Sequence, residues 1–276
     1  MKRFVSGVAV SGAVFAFLWV IRAFRIVEDA LILSLIGAAL FFFGAVVLKI
    51  LMPRTTVPRF FSVKPMSFLD WRVALTLTVI LVSGSFLLNF ITQLFYDALG
   101  VSAPAAFSGG GYSSMGLALI CISVLPALFE EIFFRGALLT TFRCAKLRSS
   151  VVIAVTSIIF MILHGPGWYF VSDLYAGVVL SLAVYFTGSL YSSVAIHFLA
   201  NTASYFLAHY GGKLSDAGIG NFMVHIMAVA FLGGICHLLK LIRKLILRGE
   251  AEDRSRVNEN ARRWEAQQRQ KKEEEK

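Results

Sequence analysis

The chain has 276 residues, of which 58% are hydrophobic and only 15% are charged, and this composition is too apolar for a soluble protein of its length. Its formal net charge of +10 would suggest a nucleic-acid partner in a soluble protein. The basic residues, however, lie in short loops between apolar runs and form no basic and aromatic groove. Composition and charge placement therefore exclude a soluble nucleic-acid-binding protein and indicate an integral membrane protein.

Apolar runs of spanning or near-spanning length follow one another along the whole chain. A membrane-spanning helix needs about 20 apolar residues, so the fifth run is short and must tilt or borrow neighbours. The pattern predicts an all-α fold, a polytopic transmembrane helix bundle of about eight helices. The runs lie at about 4–21, 30–52, 73–96, 114–141, 151–164, 168–187, 191–208 and 219–239.

Basic residues in the loops are distributed unevenly between the two sides of the membrane. With the N-terminus inside, the inner loops hold ten Lys and Arg residues and the outer loops hold three, Arg22, Arg25 and Lys213. The positive-inside rule then places both termini in the cytoplasm, in a multi-pass protein of the cell membrane. The first run lacks a convincing cleavage site, and we interpret it as a retained helix rather than a signal peptide.

The chain divides into four predicted regions. Residues 1–113 form N-terminal transmembrane helices with a basic loop and carry no residue pattern that suggests chemistry. Residues 114–208 form a helical core that holds the polar groups lying deep in apolar runs. Residues 209–248 form the last transmembrane helix and a basic segment suited to anionic lipids at the inner face. Residues 249–276 form a charged cytoplasmic tail, predicted to be a solvated helix or disordered.

The fourth apolar run contains three ionisable residues, Glu130, Glu131 and Arg135. Ionisable groups at membrane depth cost roughly 2.5–3.5 kcal/mol each on insertion scales, so their presence indicates a use. Glu131 and Arg135 are four residues apart and can pair on one helix face. Glu130 points about 100° away and is free to face a cavity, where it can act as a general base. Pro126 should kink or loosen the helix and admit water.

Two later runs carry further polar groups. His164 ends the fifth run at a Gly-Pro-Gly stop, near freed carbonyls or a cavity. His197 and Asn201 are again four residues apart on one face, and both can donate hydrogen bonds to a developing oxyanion. The blander alternatives are a structural ion pair for the glutamates and Arg135, a helix-end histidine bonded to a carbonyl for His164, and inter-helix hydrogen bonds for His197 and Asn201. Together the groups favour hydrolysis without a Ser or Cys nucleophile.

These motifs in this order resemble a protease family. Glu130-Glu131-Ile-Phe-Phe-Arg135, Phe160-Met-Ile-Leu-His164 and His197-Phe-Leu-Ala-Asn201 match EExxxR, FxxxH and HxxxN on successive apolar segments. This pattern is similar to the CPBP group, the CAAX-processing and bacteriocin-processing (Abi) intramembrane proteases, which are related to the Ras-converting CAAX endopeptidase. The resemblance covers about 114–208.

The resemblance implies a role for each of these residues. Glu130 would activate water with help from His164, Glu131 and Arg135 would fix the helix and tune Glu130, and His197 and Asn201 would stabilise the oxyanion. Zinc is a possible cofactor, held by Glu130, His164 and His197. We expect catalysis without a metal or other cofactor, because Asn is a poor zinc ligand and the chain lacks HExxH. Three cysteines without CxxC spacing also argue against a thiolate metal site.

The prediction is an intramembrane endopeptidase that hydrolyses a peptide bond of a membrane-associated peptide or protein. The substrate stays open, because nothing in the chain indicates a prenylated partner. One alternative is a non-enzymatic membrane scaffold or bacteriocin-immunity-type protein of the same fold. Another is a proton-coupled transporter that uses the carboxylates and histidines as a relay.

The sequence does not decide two positions in the bundle, namely the relative depth of Glu130 and His164 and the location of Asp173. Straight, upright helices would put Glu130 and His164 at different depths, so the site requires tilt, a kink at Pro126 or a shifted helix boundary. Asp173 could line the outer side of the cavity or lie in an aromatic belt at the membrane interface.

Overall fold

The fold is a bundle of helices with no β-strand in the described residues, as the apolar runs predict. A computed structural model describes residues 2–24, 26–52, 55–101, 112–164, 169–216 and 222–247, with only the backbone at 211–216. The predicted tail at 249–276 and the Gly-Pro-Gly stop lie outside these residues. The helices are α1 (Lys2–Ala23), α2 (Ala30–Ile50), α3 (Val57–Phe60), α4 (Phe68–Ala98), α5 (Met115–Cys144), α6 (Ser149–His164), α7 (Phe170–Thr187), α8 (Leu190–Asp216) and α9 (Phe222–Leu247).

Each of the eight predicted runs corresponds to one long helix, and only the four-residue α3 in the basic loop was not predicted. Within the described residues, six helices are long and apolar enough to cross a membrane: α1, α2, α4, α5, α7 and α9. The 16-residue α6 is shorter than a span, as the sequence predicts. Helix α8 has 27 residues, but the polar residues along it make it less apolar than these six helices.

Helix α5 lies at the centre of the bundle and packs against α2 on one side. Phe133 and Phe134, both fully buried, each place their ring centroid 5.5 Å from that of Phe41 on α2. Burying aromatic rings in this way supplies much of the packing energy of such a core. These contacts fix the orientation of α5, and therefore of its two glutamates, relative to α2.

Two wide turns interrupt α5 on either side of its glutamates. Residues Ile120–Val124 and Ile132–Leu138 form π-helical turns, and the α-helical segment between them is Leu125–Glu131. π-Turns often occur at functional sites because they change the direction of side chains locally. The first π-turn ends two residues before Pro126, so the helix is loosened next to the proline, as predicted.

Helices α6 and α7 approach each other closely at Gly177. A Cβ atom at this position would lie 3.0 Å from both Cα and Cβ of Ser157 on α6, tighter than nine in ten real Cβ contacts. A residue without a side chain allows this separation without displacing Ser157, as at other small-residue helix interfaces in membranes. Gly177 therefore sets the distance between the two helices.

A short turn joins α7 to α8 and rests on the basic loop between α2 and α4. Gly188 has φ of 67°, the left-handed conformation that glycine adopts at low cost. Ser189 donates a hydrogen bond from Oγ to the backbone oxygen of Lys64, and Leu190 N donates to Ser62 O at 2.9 Å. This turn and the loop thus lie at the same end of the bundle.

Candidate active site

A cavity of about 680 Å³ lies between α4, α5, α6, α7 and α8 and contains most of the predicted site residues. It is large enough for several residues of an extended peptide. Its walls include Glu130, His164, His197, Asn201 and Asp173. The structure therefore places Asp173 in the cavity, the first of the two positions left open by the sequence.

Glu130 and His164 face each other in this cavity. Glu130 Oε2 lies 3.6 Å from His164 Nε2, too far for a direct hydrogen bond. His164 Nδ1 lies 2.8 Å from Phe160 O, which can only accept, so Nδ1 carries the proton. In the neutral ring Nε2 is then an acceptor beside a carboxylate oxygen. Two acceptors this close suit a water that donates one hydrogen to each.

Glu131 turns away from the cavity and is fully buried in an ion pair. Its Oε1 accepts a hydrogen bond from Arg135 at 2.7 Å and lies 2.8 Å from Nδ1 of His197. Because a carboxylate only accepts, Nδ1 of His197 is the donor, and Nε2 is the nitrogen left for the cavity. The i,i+4 pair is as predicted, whereas the bond to His197 was not foreseen. Glu131 thus orients His197.

Arg135 connects three helices from a fully buried position. It pairs with Glu131 on its own helix and donates to Gly177 O on α7 at 3.0 Å. Its guanidinium carbon also lies 4.5 Å from the ring centroid of Phe160 on α6, a cation–π contact. A planar guanidinium with several donors suits such a buried junction. Its contacts hold α5, α6 and α7 around the cavity.

Asn201 binds the backbone at the first π-turn. Its side-chain Nδ2 donates to Ile122 O at 2.9 Å. In a regular helix that carbonyl would accept from residue 126, but Pro126 has no N–H. The proline therefore frees an acceptor that Asn201 satisfies, and one N–H of the amide remains for another partner in the cavity.

Glu130 and His164 lie at similar depth because the end of α5 differs from its predicted position. The helix continues to Cys144, three residues past the predicted end of the apolar run. Glu130 lies 14 residues before Cys144 and His164 lies 15 residues after Ser149, so they are about 21 and 22 Å from the short turn that joins the helices. A shifted helix boundary, one of the three solutions that the sequence left open, therefore contributes to their similar depth.

Helix α4 contributes a polar face to the cavity that the sequence analysis missed. Residues 1–113 showed no chemical motif, yet five polar side chains of α4 line the wall. A polar stripe at helical spacing on an otherwise apolar helix was the available signal. The five are Ser85, Asn89, Thr92, Gln93 and Tyr96.

The predicted zinc ligands were Glu130, His164 and His197, and the first two lie close together. His197 donates its Nδ1–H to Glu131 and keeps Nε2 on the cavity side. In the part of the chain that the structure describes, no three His, Cys, Asp or Glu side chains are placed to hold a metal. Catalysis without a metal stays a prediction.

Comparison with known protein families gives one match, over the helices that hold the site. Residues 112–203 match the sequence model of the family described as type II CAAX prenyl endopeptidase Rce1-like. This segment is similar to the Rce1-like family. The Rce1-like segment covers a third of the chain and includes all six predicted site residues. No curated protein and no solved structure matches the chain significantly.

The Rce1-like segment confirms the recognised family and the coarse class of activity. Its family consists of endopeptidases, which supports peptide-bond hydrolysis. With six helices long and apolar enough to span a membrane, the chain is a multi-pass membrane protein. A membrane-associated peptide is the substrate class that follows from this combination.

Proposed function

We propose that the protein is an intramembrane endopeptidase that uses water activated by Glu130 and His164. The observation that supports this most directly is the 3.6 Å approach of Glu130 Oε2 to His164 Nε2 inside a cavity that also contains His197 and Asn201. A water that donates a hydrogen to each acceptor keeps a lone pair directed into the cavity. That lone pair is the nucleophile for a peptide carbonyl carbon.

The reaction then follows from what each side chain can donate or accept. As water oxygen bonds to the carbonyl carbon, Glu130 takes the proton that the water loses. Glu130 returns this proton to the peptide nitrogen, the C–N bond breaks, and the carboxylic acid and amine that form exchange a proton to give a carboxylate and an ammonium group. His164, held by Phe160 O, keeps the water in line.

The oxyanion of the tetrahedral intermediate is stabilised by His197 and Asn201. Asn201 offers the amide N–H that is not bonded to Ile122 O. His197 offers Nε2–H when the ring is doubly protonated, since its Nδ1–H is bonded to the Glu131 carboxylate. Removing one such donor typically costs about 10²–10³ in rate.

The direct test compares purified full-length protein with Glu130→Gln and His164→Ala in liposomes that contain membrane peptides. Mass spectrometry of the products should show cleavage by the wild type, and Glu130→Gln should lower the rate by about 10²–10⁴. Glu28→Gln, an exposed glutamate outside the cavity, is the matched control and should retain the wild-type rate. A chelator should not change the rate, because we propose that no metal takes part.

The same experiment separates the two other functional classes. If Glu130→Gln keeps full cellular function and no variant yields peptide products, the protein is a scaffold or immunity-type protein. If the liposomes show flux driven by a pH gradient and no cleavage, it is a transporter. Chelator-sensitive cleavage would contradict the metal-free mechanism alone.

We also propose that the basic end of the bundle lies in the cytoplasm and contacts anionic lipids of the cell membrane. Arg148 directly precedes α6 at this end, and Lys240, Arg243 and Lys244 lie near the end of α9. Basic residues near a membrane surface gain roughly 1 kcal/mol each from anionic headgroups.

A further inference from the structure

Most cavity-lining residues lie in the halves of the helices away from the basic end, and the others lie closer to the middle of the bundle. The polar residues of α4 come from its second half, and most lining residues of α5 and α7 come from their first halves, with Glu130 and Leu180 just past the middle. Helix α6 contributes its last turn, with His164 as its final residue. The cavity therefore extends towards the end of the bundle where α4 ends and α5 begins.

The opposite end of the bundle is closed. Phe60, Leu138 and Phe142 are fully buried there, and the side chain of Arg3 reaches Cys144 O at 2.9 Å. Four of the described cavity-lining residues are exposed, and all lie in the far halves of their helices: Gln93, His164, Ser204 and Ala208. A substrate thus has access from the far end and not from the basic end.

Charge determines which of these ends is cytoplasmic. In the sequence, the loops and helix ends at the closed end hold ten Lys and Arg before α9 is counted, and those at the open end hold three. Short loops with an excess of Lys and Arg remain in the cytoplasm. The open end then faces the non-cytoplasmic side.

We propose that the scissile bond reaches Glu130 from the non-cytoplasmic side of the membrane, so that the substrate class is a membrane-anchored polypeptide with its cleaved segment on that side. This inference rests on the proposed function for its chemistry. The side of the membrane is inferred only from where the cavity opens and from how Lys and Arg are distributed between the two ends of the bundle.

Cysteine labelling tests the sidedness without any measurement of activity. In a full-length background with Cys121→Ala, Cys144→Ser and Cys236→Ala, Ser204→Cys marks the cavity mouth and Ser149→Cys marks the basic end. A membrane-impermeant maleimide applied to intact bacterial cells should label Ser204→Cys and should label Ser149→Cys only after permeabilisation.

The contrary results are equally clear. Labelling of Ser149→Cys but not Ser204→Cys in intact cells overturns the proposal, and so does failure to label Ser204→Cys under any condition. A correct labelling pattern combined with absence of peptide cleavage would instead contradict the proposed function and leave the sidedness standing.

A separate observation concerns Asn89 on the polar face of α4. Its side-chain Oδ1 is buried and has no hydrogen-bond partner in the described part of the chain, although the residue lines the cavity. An unsatisfied buried amide is costly, and such a group is often explained by a ligand or water. Thr92, one turn further on, uses its hydroxyl to donate to Leu88 O at 2.8 Å and thus presents only acceptor lone pairs.

We infer that this face binds the backbone of the peptide substrate, with Asn89 Oδ1 accepting a hydrogen bond from a substrate N–H. Backbone amides are the donors that every peptide offers, so a face of acceptors holds an extended peptide without regard to most of its side chains. The contact is made before and during the reaction alike, and it therefore contributes to substrate binding rather than to the chemical step.

The test measures KM and kcat of Asn89→Leu on a peptide that the wild type cleaves. Loss of one hydrogen bond should raise KM by about 10-fold and leave kcat unchanged. Thr78→Val removes a hydroxyl of the same helix that is not part of the cavity wall and should change neither constant. Asn89→Ala replaces the leucine variant if the latter does not fold.

An unchanged KM, or a fall in kcat alone, overturns this role for Asn89. If the wild type itself cleaves no peptide, the proposed function fails instead. The two failures are therefore distinguishable.

Discussion

Glu130 and Glu131 are neighbours in the sequence but have different surroundings and different contacts. Glu131 is fully buried and bonded to Arg135 and His197, while Glu130 lines the cavity beside His164. The helix geometry explains the separation, since successive side chains point about 100° apart. One carboxylate is thus structural and the other is available for chemistry.

We expect Glu131→Gln to destabilise the protein and Glu130→Gln to leave its stability close to that of the wild type. Breaking a buried ion pair costs about 3–5 kcal/mol because the remaining charge, here Arg135, is left unpaired. Thermal unfolding of both purified variants in the same detergent measures the difference. Equal melting temperatures would show that the ion pair does not contribute to stability.

Helix α5 acts as the element that positions the site, and its irregularities are essential to this role. Pro126 and the π-turn before it expose the carbonyl of Ile122, and Asn201 of α8 binds it. The second π-turn follows Glu131 directly and includes Arg135, the side chain that joins α5 to α7. In a regular helix the carbonyl of Ile122 would accept a hydrogen bond from its own helix, and Asn201 could not bind it.

Pro126→Ala should lower kcat without lowering stability. The restored N–H of residue 126 competes with Asn201 for Ile122 O and releases the amide from its position. In enzyme assays, adding Asn201→Ala should then cost less in the Pro126→Ala background than in the wild type, which a double-mutant cycle measures. Leu128→Ala, an exposed residue of the same helix, is the control.

Additive effects of the two substitutions would contradict the coupling. A lower melting temperature for Pro126→Ala would show that the proline stabilises the fold in another way.

Gly177→Ala should lower both stability and activity, because a Cβ at this position would contact the backbone of Ser157 at 3.0 Å. Moving α7 away from α6 also displaces the carbonyl that Arg135 binds. Gly12→Ala is a matched control on α1, since a Cβ there has no atom within 4 Å. Alanine favours a helix by up to about 1 kcal/mol over glycine, so this control should be neutral or stabilising.

The melting temperatures of the Gly177→Ala and Gly12→Ala proteins measure this difference in stability. A Gly177→Ala protein as stable as the Gly12→Ala protein would mean that the helices can separate at this point without cost.

The eight long helices run alternately in opposite directions, so the loops rich in Lys and Arg all lie at one end of the bundle. The turn between α7 and α8 rests on the loop between α2 and α4, while the cavity extends from the middle of the bundle to the other end. Helix α9 is mostly exposed along its length, as expected for a helix whose solvent is lipid. The bundle therefore has one closed basic end and one open end.

Reporter fusions test this arrangement at the scale of the chain. A fluorescent protein that matures only in the cytoplasm should fluoresce when fused after Leu247 and should stay dark when fused after Val101. The expected pattern follows from three crossings of long helices before Val101 and eight before Leu247. Fluorescence from the Val101 fusion alone would reverse the topology.

The sequence by itself determined the membrane class, the long helices and the residues that share a helix face. These features are local, because apolar length and i,i+4 spacing decide them within one segment. Such local features were enough to identify the six predicted site residues, which are Glu130, Glu131, Arg135, His164, His197 and Asn201. Their assembly around one cavity was an expectation that only helix packing could decide.

The tertiary structure alone decided which side chains meet across helices. The bond from His197 to Glu131, the bond from Asn201 to Ile122 O and the polar face of α4 depend on which helices are neighbours and how closely they pack. In lipid this choice is made by small residues such as Gly177 and by buried polar contacts rather than by hydrophobicity, which is nearly uniform along the helices. Such contacts join residues up to 79 positions apart, and no local pattern in the chain specifies them.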